Sequence, residues 1–417
     1  MIWAVNAVRA ARHNRVLILD AVQRAGAISR SQLVSVTGLT PATITNAVRE
    51  LIELRLVRPT GQLALREAAT AGAPSELLAL DGAWHRVISV HQGVSLIRVG
   101  LHDITGQVLA SRELAGRHGE APRAAVQRMT SAVRELLRDQ SVAAEQVRGV
   151  GVGAVGLVDP DSGIVRAAPN LGWVDVPLRA LLRDALGWPV LVRNNVHGMA
   201  AGEVRFAGVP EGDAVYVYVG TGIGSAMIID GRVREGAHGA AGEIGHLVVR
   251  GGRACTCGKI GCLETIAAEP AIIRRARRRV RNNELLPGAY KPAVARLVEL
   301  ALAGDVRAKA HLREVAESLG LALAQVVEIV DPGAVILNGV IAEAGDLVLG
   351  PLAATLHRSA FAVRGRTVAV RAARFGRYAG MIGAATLALD EYVYHPQADL
   401  FANRAVDRRT LGWARPA

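Results

Sequence analysis

Three cysteines occur in the 417 residues, Cys255, Cys257 and Cys262, all within eight positions and shortly after His246. One imidazole and three thiolates are the four ligands of a closed tetrahedral zinc site. Gly258 and Gly261 let the chain turn sharply between ligands. Cys-x-Cys is tighter than the usual finger spacing. The confinement of every cysteine to one short stretch is what points to metal, because an odd, tight cluster cannot staple distant parts of a fold. Four protein ligands leave no position for a reacting water, so one structural Zn²⁺ per chain is expected. A second chemistry is suggested by VYVYVGTGIGSAMIIDG, which places Gly220, Thr221, Gly222 and Gly224 between two strand-like runs. Glycines let a backbone approach an anion and aim N–H groups at it. The equivalent turn earlier in the chain, VHQGVSLIRVGLHDITG, carries Gly93 and Ser95. Phosphoryl transfer from ATP needs a carboxylate near Mg²⁺ at such a turn and another to accept the proton of the attacking hydroxyl. Position 91 is histidine.

Strands must bring these loops to a common edge. From residue 85 onward, strand-like runs (HRVISVHQ, SLIRVGLHD, QVLASREL, GVGVGAVGLV, PVLVRNN, AVYVYVG, AMIIDGRV, AVILNGV, TVAVRAARF) alternate with helical ones. The pattern predicts an α/β domain over 84–392, with two lobes of related design opening near residues 87 and 214. Residues 71–83 read as a linker and 393–417 as a polar tail.

The first 70 residues are different. Nine Arg face Asp20, Glu50, Glu53 and Glu67, a net charge of +5. RSQLVSV, TGL and TPATITNAVRELIEL read as helix, turn and helix. Thr40 is a good N-cap and Pro41 suits the first helical position. Ile44, Val48, Leu51 and Ile52 make one apolar face. The other face shows Thr43, Thr45, Asn46 and Arg49, side chains suited to base edges and phosphates. LRLVRPTGQLAL can form a β-hairpin wing with Arg55, Arg58 and Arg66 as phosphate contacts. Residues 1–70 are therefore expected to be a winged helix-turn-helix that binds double-stranded DNA.

The whole chain carries a net charge of +12, almost all of it arginine. A second basic run, RRARRRVR (274–281), reads as one solvated helix face. The longest uncharged apolar stretch, 214–229, has 16 residues, short of the ~18–20 a membrane span requires. Arginines interrupt the N-terminus, which has no secretory h-region. A cytoplasmic protein is expected, with no membrane partner.

Together these segments resemble the ROK family of bacterial sugar kinases and sugar-responsive repressors, over about residues 14–390. AGEIGH (241–246) and CTCGKIGCLE (255–264) carry the resemblance most specifically. GTGIG (220–224), GLVDPDSGIVRAAPNLGW (156–173) and YAGMIGAA (378–385) add to it. The winged helix is similar to that of the repressor branch. The resemblance implies a two-lobed, actin-like, sugar-kinase-like fold in which Asn170, Asn194, Asn195, Glu243, His246 and Glu264 face sugar hydroxyls. His246 would then touch zinc with one ring nitrogen and sugar with the other. It also exposes three departures. Asn195 replaces the family's catalytic Asp, His91 replaces the Asp of the first phosphate motif and offers positive charge instead, and Asn338 replaces a glycine near the nucleotide. GAP (72–74) stands where the linker often has Gly-Arg-Pro. These departures imply a DNA-binding regulator, a repressor acting as a homodimer or homotetramer, that senses a sugar or sugar derivative and has lost catalysis. A sugar kinase with an appended DNA-binding domain is the alternative, and a protein-binding scaffold using 274–281 is a third reading.

Overall fold

The computed structural model describes residues 7–64, 75–249, 253–279 and 290–394. The N-terminal unit begins with helices α1 (Ala7–Ala25), α2 (Arg30–Thr37) and α3 (Pro41–Glu53). Each boundary has a local cause. Ser29 and Gln32 form a reciprocal capping box at α2, and Gly38 closes it in the left-handed conformation at φ 69°. The Thr40 side chain accepts from the Thr43 N–H at the start of α3, where Pro41 follows. A three-stranded sheet completes the unit, built from β1 (Ile28–Ser29), β2 (Val57–Leu63) and β3 (Glu76–Leu80), in the order β1-β3-β2.

β3 lies in the stretch read from sequence as linker. The wing is therefore wider than a hairpin within 54–65, since β2 pairs with residues 76–80, and its strands pair from Val57↔Leu80 to Leu63↔Glu76. Arg66 and residues 72–74 lie outside the described residues.

The first lobe's sheet contains β4 (Arg86–Gln92), β5 (Leu96–Asp103), β6 (Val108–Ala115), β7 (Val147–Ala154) and β11 (Val190–Asn194), ordered β11-β7-β4-β5-β6. Helices α4 (Pro122–Asp139) and α5 (Leu178–Leu186) cover it, and a small sheet of β8 (Leu157–Val158), β9 (Val165–Ala168) and β10 (Trp173–Val176) caps one end. Helix α6 (Asn195–Gly202) leads into the second lobe. Its sheet is ordered β14-β13-β12-β15-β16, from β12 (Ala214–Val219), β13 (Ile223–Ile229), β14 (Arg232–Arg234), β15 (Ala334–Asn338) and β16 (Ala369–Ala372). The remaining helices are α7 (Glu264–Ala267), α8 (Glu269–Arg279), α9 (Tyr290–Leu302), α10 (Val306–Val330), α11 (Asp346–Ser359) and α12 (Ala379–Leu389). In each lobe an antiparallel hairpin pairs in parallel with a later strand, so two similar sheets face one cleft. The described part of the 274–281 run is the end of α8, where Arg279 pairs with Glu314 at 2.6 Å and Arg277 and Arg278 are exposed.

The winged unit is not a separate bead. Ile18, Leu33, Val48 and Leu51 belong to one buried cluster with Val87, Ile104, Leu191, Val393 and Tyr394. Val393 and Tyr394, assigned to the tail from sequence, end a π-helical turn (Asp390–Tyr394) and are fully buried. His85 bolts the two units together: Nε2–H donates to the Leu54 carbonyl at the end of α3 (2.7 Å), and Nδ1 accepts from Arg148 on β7 (2.7 Å). Burial pushes this imidazole down to about 4, so it stays neutral in that role.

Candidate functional site

The cleft between the lobes has two adjoining cavities, about 710 and 740 Å³ with their open mouths. The first is lined by Asn170, Asn194, Asn195, Glu243, His246 and Glu264, all six residues the sequence pointed to, and by Thr256 from between two cysteines. Glu264 heads α7 and accepts the Ile223 N–H at 3.3 Å. Burial raises its pKa, His246 and that N–H lower it, and Glu243 pushes it up. Gly222 lies opposite, where a Cβ would fall 2.5 Å from the Glu264 Oε2 and displace the carboxylate.

Asn194, which lines this cavity, also holds its wall. Its Oδ1 caps α6 by accepting from Val196 N (2.8 Å) and His197 N (3.2 Å), and its Nδ2 donates to the Gly156 carbonyl (2.9 Å). It therefore fixes the helix start on the cavity wall. Asn195, 7% exposed, begins the helix and lines both cavities.

His246, Cys255, Cys257 and Cys262 form one cluster, with ligand atoms all within 4.8 Å of one another. Cys255 Sγ lies 3.6 Å from His246 Nδ1, and Cys257 Sγ 3.6 Å from Cys262 Sγ. Metal–sulfur bonds of about 2.3 Å in a tetrahedron give edges of about 3.8 Å, so the set can hold a metal ion. The loop is shaped by a Cys255 N–H bond to the Lys259 carbonyl (2.8 Å) and a Gly258 N–H bond to Cys255 (3.0 Å). Because Nδ1 faces the thiols and His246 also lines the first cavity, the metal loop and that cavity share a side chain.

The second cavity is lined by His91, Ser95 and Asn338, by the cations Arg98, Lys291 and Arg377, and by the carboxylates Glu269 and Glu343. His91 is buried on β4, and Gly380 of α12 is so close that a Cβ there would fall 2.4 Å from the ring Nδ1. Burial first, then Arg98 and Lys291, push His91 down to about 4. It is neutral, which corrects the expectation of added positive charge. Asn338 lines this cavity, yet its amide is turned into its own sheet: Nδ2 donates to Tyr216 Oη and Oδ1 accepts from Gly339 N, both at 2.7 Å. The GTGIG segment is a tight turn between β12 and β13. Its Gly220 N–H is taken by the Gly222 carbonyl (2.9 Å), and Gly224 packs against Val196. Thr221 lines both cavities, and Gly222 and Gly224 line the first. Gly93 likewise bonds back to Leu96 (3.0 Å).

On α3, Ile44, Val48 and Leu51 are buried while Thr45, Asn46 and Arg49 are exposed. The hydroxyls of Thr43 and Thr45 are engaged locally, with Thr40 (2.9 Å) and the Pro41 carbonyl (2.8 Å). Among the described residues Asn46 and Arg49 have no such partner. Arg58 is exposed on β2, and Arg55, also exposed, lies over the Trp84 ring at 4.4 Å.

The ROK family profile matches residues 87–391. The chain belongs to the ROK family. It is 26% identical to the xylose repressor of Caldicellulosiruptor bescii, over 92% of this chain and 97% of that protein. It is 33% identical to the glucokinase of Streptomyces coelicolor, over 72% of this chain and 96% of the enzyme. Among solved structures it resembles a ROK family transcriptional regulator, a homologue of the Escherichia coli Mlc protein, with a TM-score of 0.77 and 26% identity over 93% of this chain and 98% of that one. The ROK repressor likeness thus runs nearly end to end, and the ROK glucokinase likeness leaves more than a quarter of the chain unmatched. Among the described residues no helix is long and apolar enough to cross a membrane.

Proposed function

We infer that this protein is a DNA-binding transcriptional regulator, a repressor, whose two-lobed domain binds a sugar or sugar derivative without phosphorylating it. One observation carries the reading: a helix exposing Asn46 and Arg49 shares a hydrophobic core with the first lobe, through Val87, Ile104 and Leu191, and that lobe borders a cleft lined by Asn195. An amide does not accept a proton at neutral pH, so the attacking hydroxyl has no general base there. Asn170, Asn195, Glu243, His246 Nε2 and Glu264 would hold the sugar hydroxyls, and Asn194 positions α6. Zn²⁺ on His246, Cys255, Cys257 and Cys262 would fix the His246 ring for that contact.

The fold also supports a route from sugar to DNA. Helix α6 starts in the sugar cavity and runs into a π-helical turn, Glu203–Ala207. Glu203, fully buried, accepts from the Arg374 N–H and pairs with Arg371 of the second lobe at 2.9 Å. Two residues on, Arg205 reaches Asp20 of α1 (3.4 Å) and Asp390 (2.5 Å) and lies over the Tyr394 ring at 4.4 Å. A sugar that favours a closed cleft would shift α6, and with it the spacing of two winged units in a cytoplasmic dimer. It does so only through different affinity for the two arrangements. The operator would be pseudo-palindromic, with half-sites whole turns of about 10–10.5 bp apart.

The test is selection of a duplex by the full-length protein, followed by sugar titration. A selected duplex released by one sugar, and lost in Asn46→Ala with Arg49→Ala, supports the reading. Unchanged affinity of that double variant refutes the DNA assignment. Robust ATP-dependent phosphorylation of any hexose would establish the kinase alternative, which the glucokinase likeness favours.

A further inference from the structure

The wall between the two cavities is made by Val94, Val155, Asn195, Tyr218 and Thr221, which line both. Tyr218 is the largest of these side chains, and the function proposed above gives it no task. It stands near the end of β12, where strand alternation puts it on the same face as Tyr216. Both rings pack beside Val196 and Met199 of α6, next to Asn195. The Tyr218 ring lies on the first glycine of GTGIG. A Cβ at Gly220 would fall 2.7 Å from its Cε1 and 2.9 Å from its Cζ and Oη, so a larger residue at 220 would push the ring off this wall.

The two tyrosine hydroxyls differ in what meets them. Tyr216 Oη, fully buried, accepts from Asn338 Nδ2 (2.7 Å). Tyr218 is half-buried, and no described residue bonds its hydroxyl. Burial, then Glu269, push this phenol up to about 12 against the pull of Arg98, so it stays neutral and can both donate and accept. A ligand that fills the sugar side takes water away from this hydroxyl. It must supply a hydrogen bond in its place or leave a buried polar group unmet.

We propose that Tyr218 determines which ligand the cleft accepts: its hydroxyl bonds one ring hydroxyl of the sugar, and its ring bars any substituent on that hydroxyl from passing into the second cavity. The proposal deepens the sugar-binding reading above and rests on it. At the seam the sugar hydroxyl lies between an amide, Asn195, and a neutral phenol. Neither takes its proton, so the pair that leaves it unreacted is also the pair that recognises it. The ligand class follows as a sugar whose hydroxyl at the seam is free, told apart from both its deoxy analogue and its ether.

The test is calorimetry on the full-length protein with glucose, xylose and N-acetylglucosamine, then with each monodeoxy and mono-O-methyl derivative of whichever binds tightest. At one ring position, loss of the hydroxyl should cost the unmodified protein about 5–150-fold, the range for a buried hydrogen-bonding group left unmet. Methylation at the same position should cost at least as much. In Tyr218→Phe the deoxy penalty there should shrink while the methyl penalty stays, because the ring is kept. In Tyr218→Ser the methyl ether should bind about as well as its parent, because the ring is gone. Tyr218→Phe keeps the packing against α6 and decides the hydroxyl's part even where Tyr218→Ser is too unstable to assay. Deoxy penalties unchanged in Tyr218→Phe at every position, or a methyl ether still excluded by a folded Tyr218→Ser, would overturn the proposal and leave the sugar reading standing. Binding of none of the three sugars to the unmodified protein would sink the sugar reading, and the role of Tyr218 with it.

Discussion

The two cavities of the cleft share a wall and differ in how their polar groups are held. On the sugar side, His246 is shared with the cysteine loop, Glu264 is held by the Ile223 N–H, and Asn194 is locked as a helix cap. Each group has a partner outside the cavity that fixes its direction. On the other side, His91 is a buried neutral ring, Asn338 bonds within its own sheet, and Lys291 has no ion pair among the described residues. The polar groups of the first cavity are braced from outside it, and those of the second are buried, turned into their own sheet or without an ion pair. Under the proposed function, the comparison teaches that binding and catalysis are separable because different elements support them.

The strongest way to break that comparison is to find catalysis. No hexose phosphorylation above an Asn195→Ala control is expected in a coupled assay, since a general base is worth a factor of about 10²–10⁴. Asn195→Asp alone should restore little, because position 91 stays without a carboxylate.

Next in size is the metal brace. Cys257→Ser should lower bound zinc below one per chain and weaken the cleft's ligand by about 10–100-fold, the range for disturbed metal-site support. Metal analysis and calorimetry on the same preparation check it, and full ligand affinity in metal-free protein would show that the brace is dispensable. At the DNA-facing helix, Asn46→Ala and Arg49→Ala should each cost about 1–3 kcal/mol and relax sequence preference. Arg58→Ala should weaken all duplexes alike and reduce the salt slope by about 1. Fluorescence anisotropy at several salt concentrations distinguishes the two behaviours.

Acid should loosen the first lobe and its junction with the winged unit. Burial holds His85, His91 and His102 near 4, below the value of an unfolded histidine. The unfolded chain therefore binds more protons between about pH 4 and 6.5. The stability these rings confer is complete above that window and is lost as pH falls through it, by up to about 1.4 kcal/mol per pH unit for each ring. Melting temperature should drop from pH 7 to pH 5, and less so in His85→Gln. The smallest expected effect is at the relay. Arg205→Ala should leave ligand affinity nearly unchanged and shrink the ligand's effect on duplex binding by about 0.5–2 kcal/mol.

Local signals were legible wherever neighbours in sequence are neighbours in space. Thr40, Pro41 and the apolar spacing of α3 mark a helix that the structure reproduces at Pro41–Glu53, and the cysteine cluster needs only a short loop to close. β3 was missed because its run follows a glycine- and alanine-containing stretch and is a strand only by pairing with β1 and β2. The stacking of Arg55 on Trp84, 29 residues later, was likewise not legible, because it joins segments distant in sequence.

From its residues alone, this chain determined a winged helix-turn-helix, a two-lobed α/β domain, the four-residue metal set and the missing carboxylates. The first three follow from residue type and short spacing, and the missing carboxylates from the resemblance to the ROK family, all of which a linear reading can weigh. Only the tertiary structure decided that Arg98, Lys291 and Arg377 share one cavity, that His91 is neutral, and that Arg205 joins the ligand helix to α1. Those facts depend on burial and on contacts between segments as much as 279 positions apart. A side chain's charge state and partners are set by what folds around it, and sequence spacing carries no record of that surrounding.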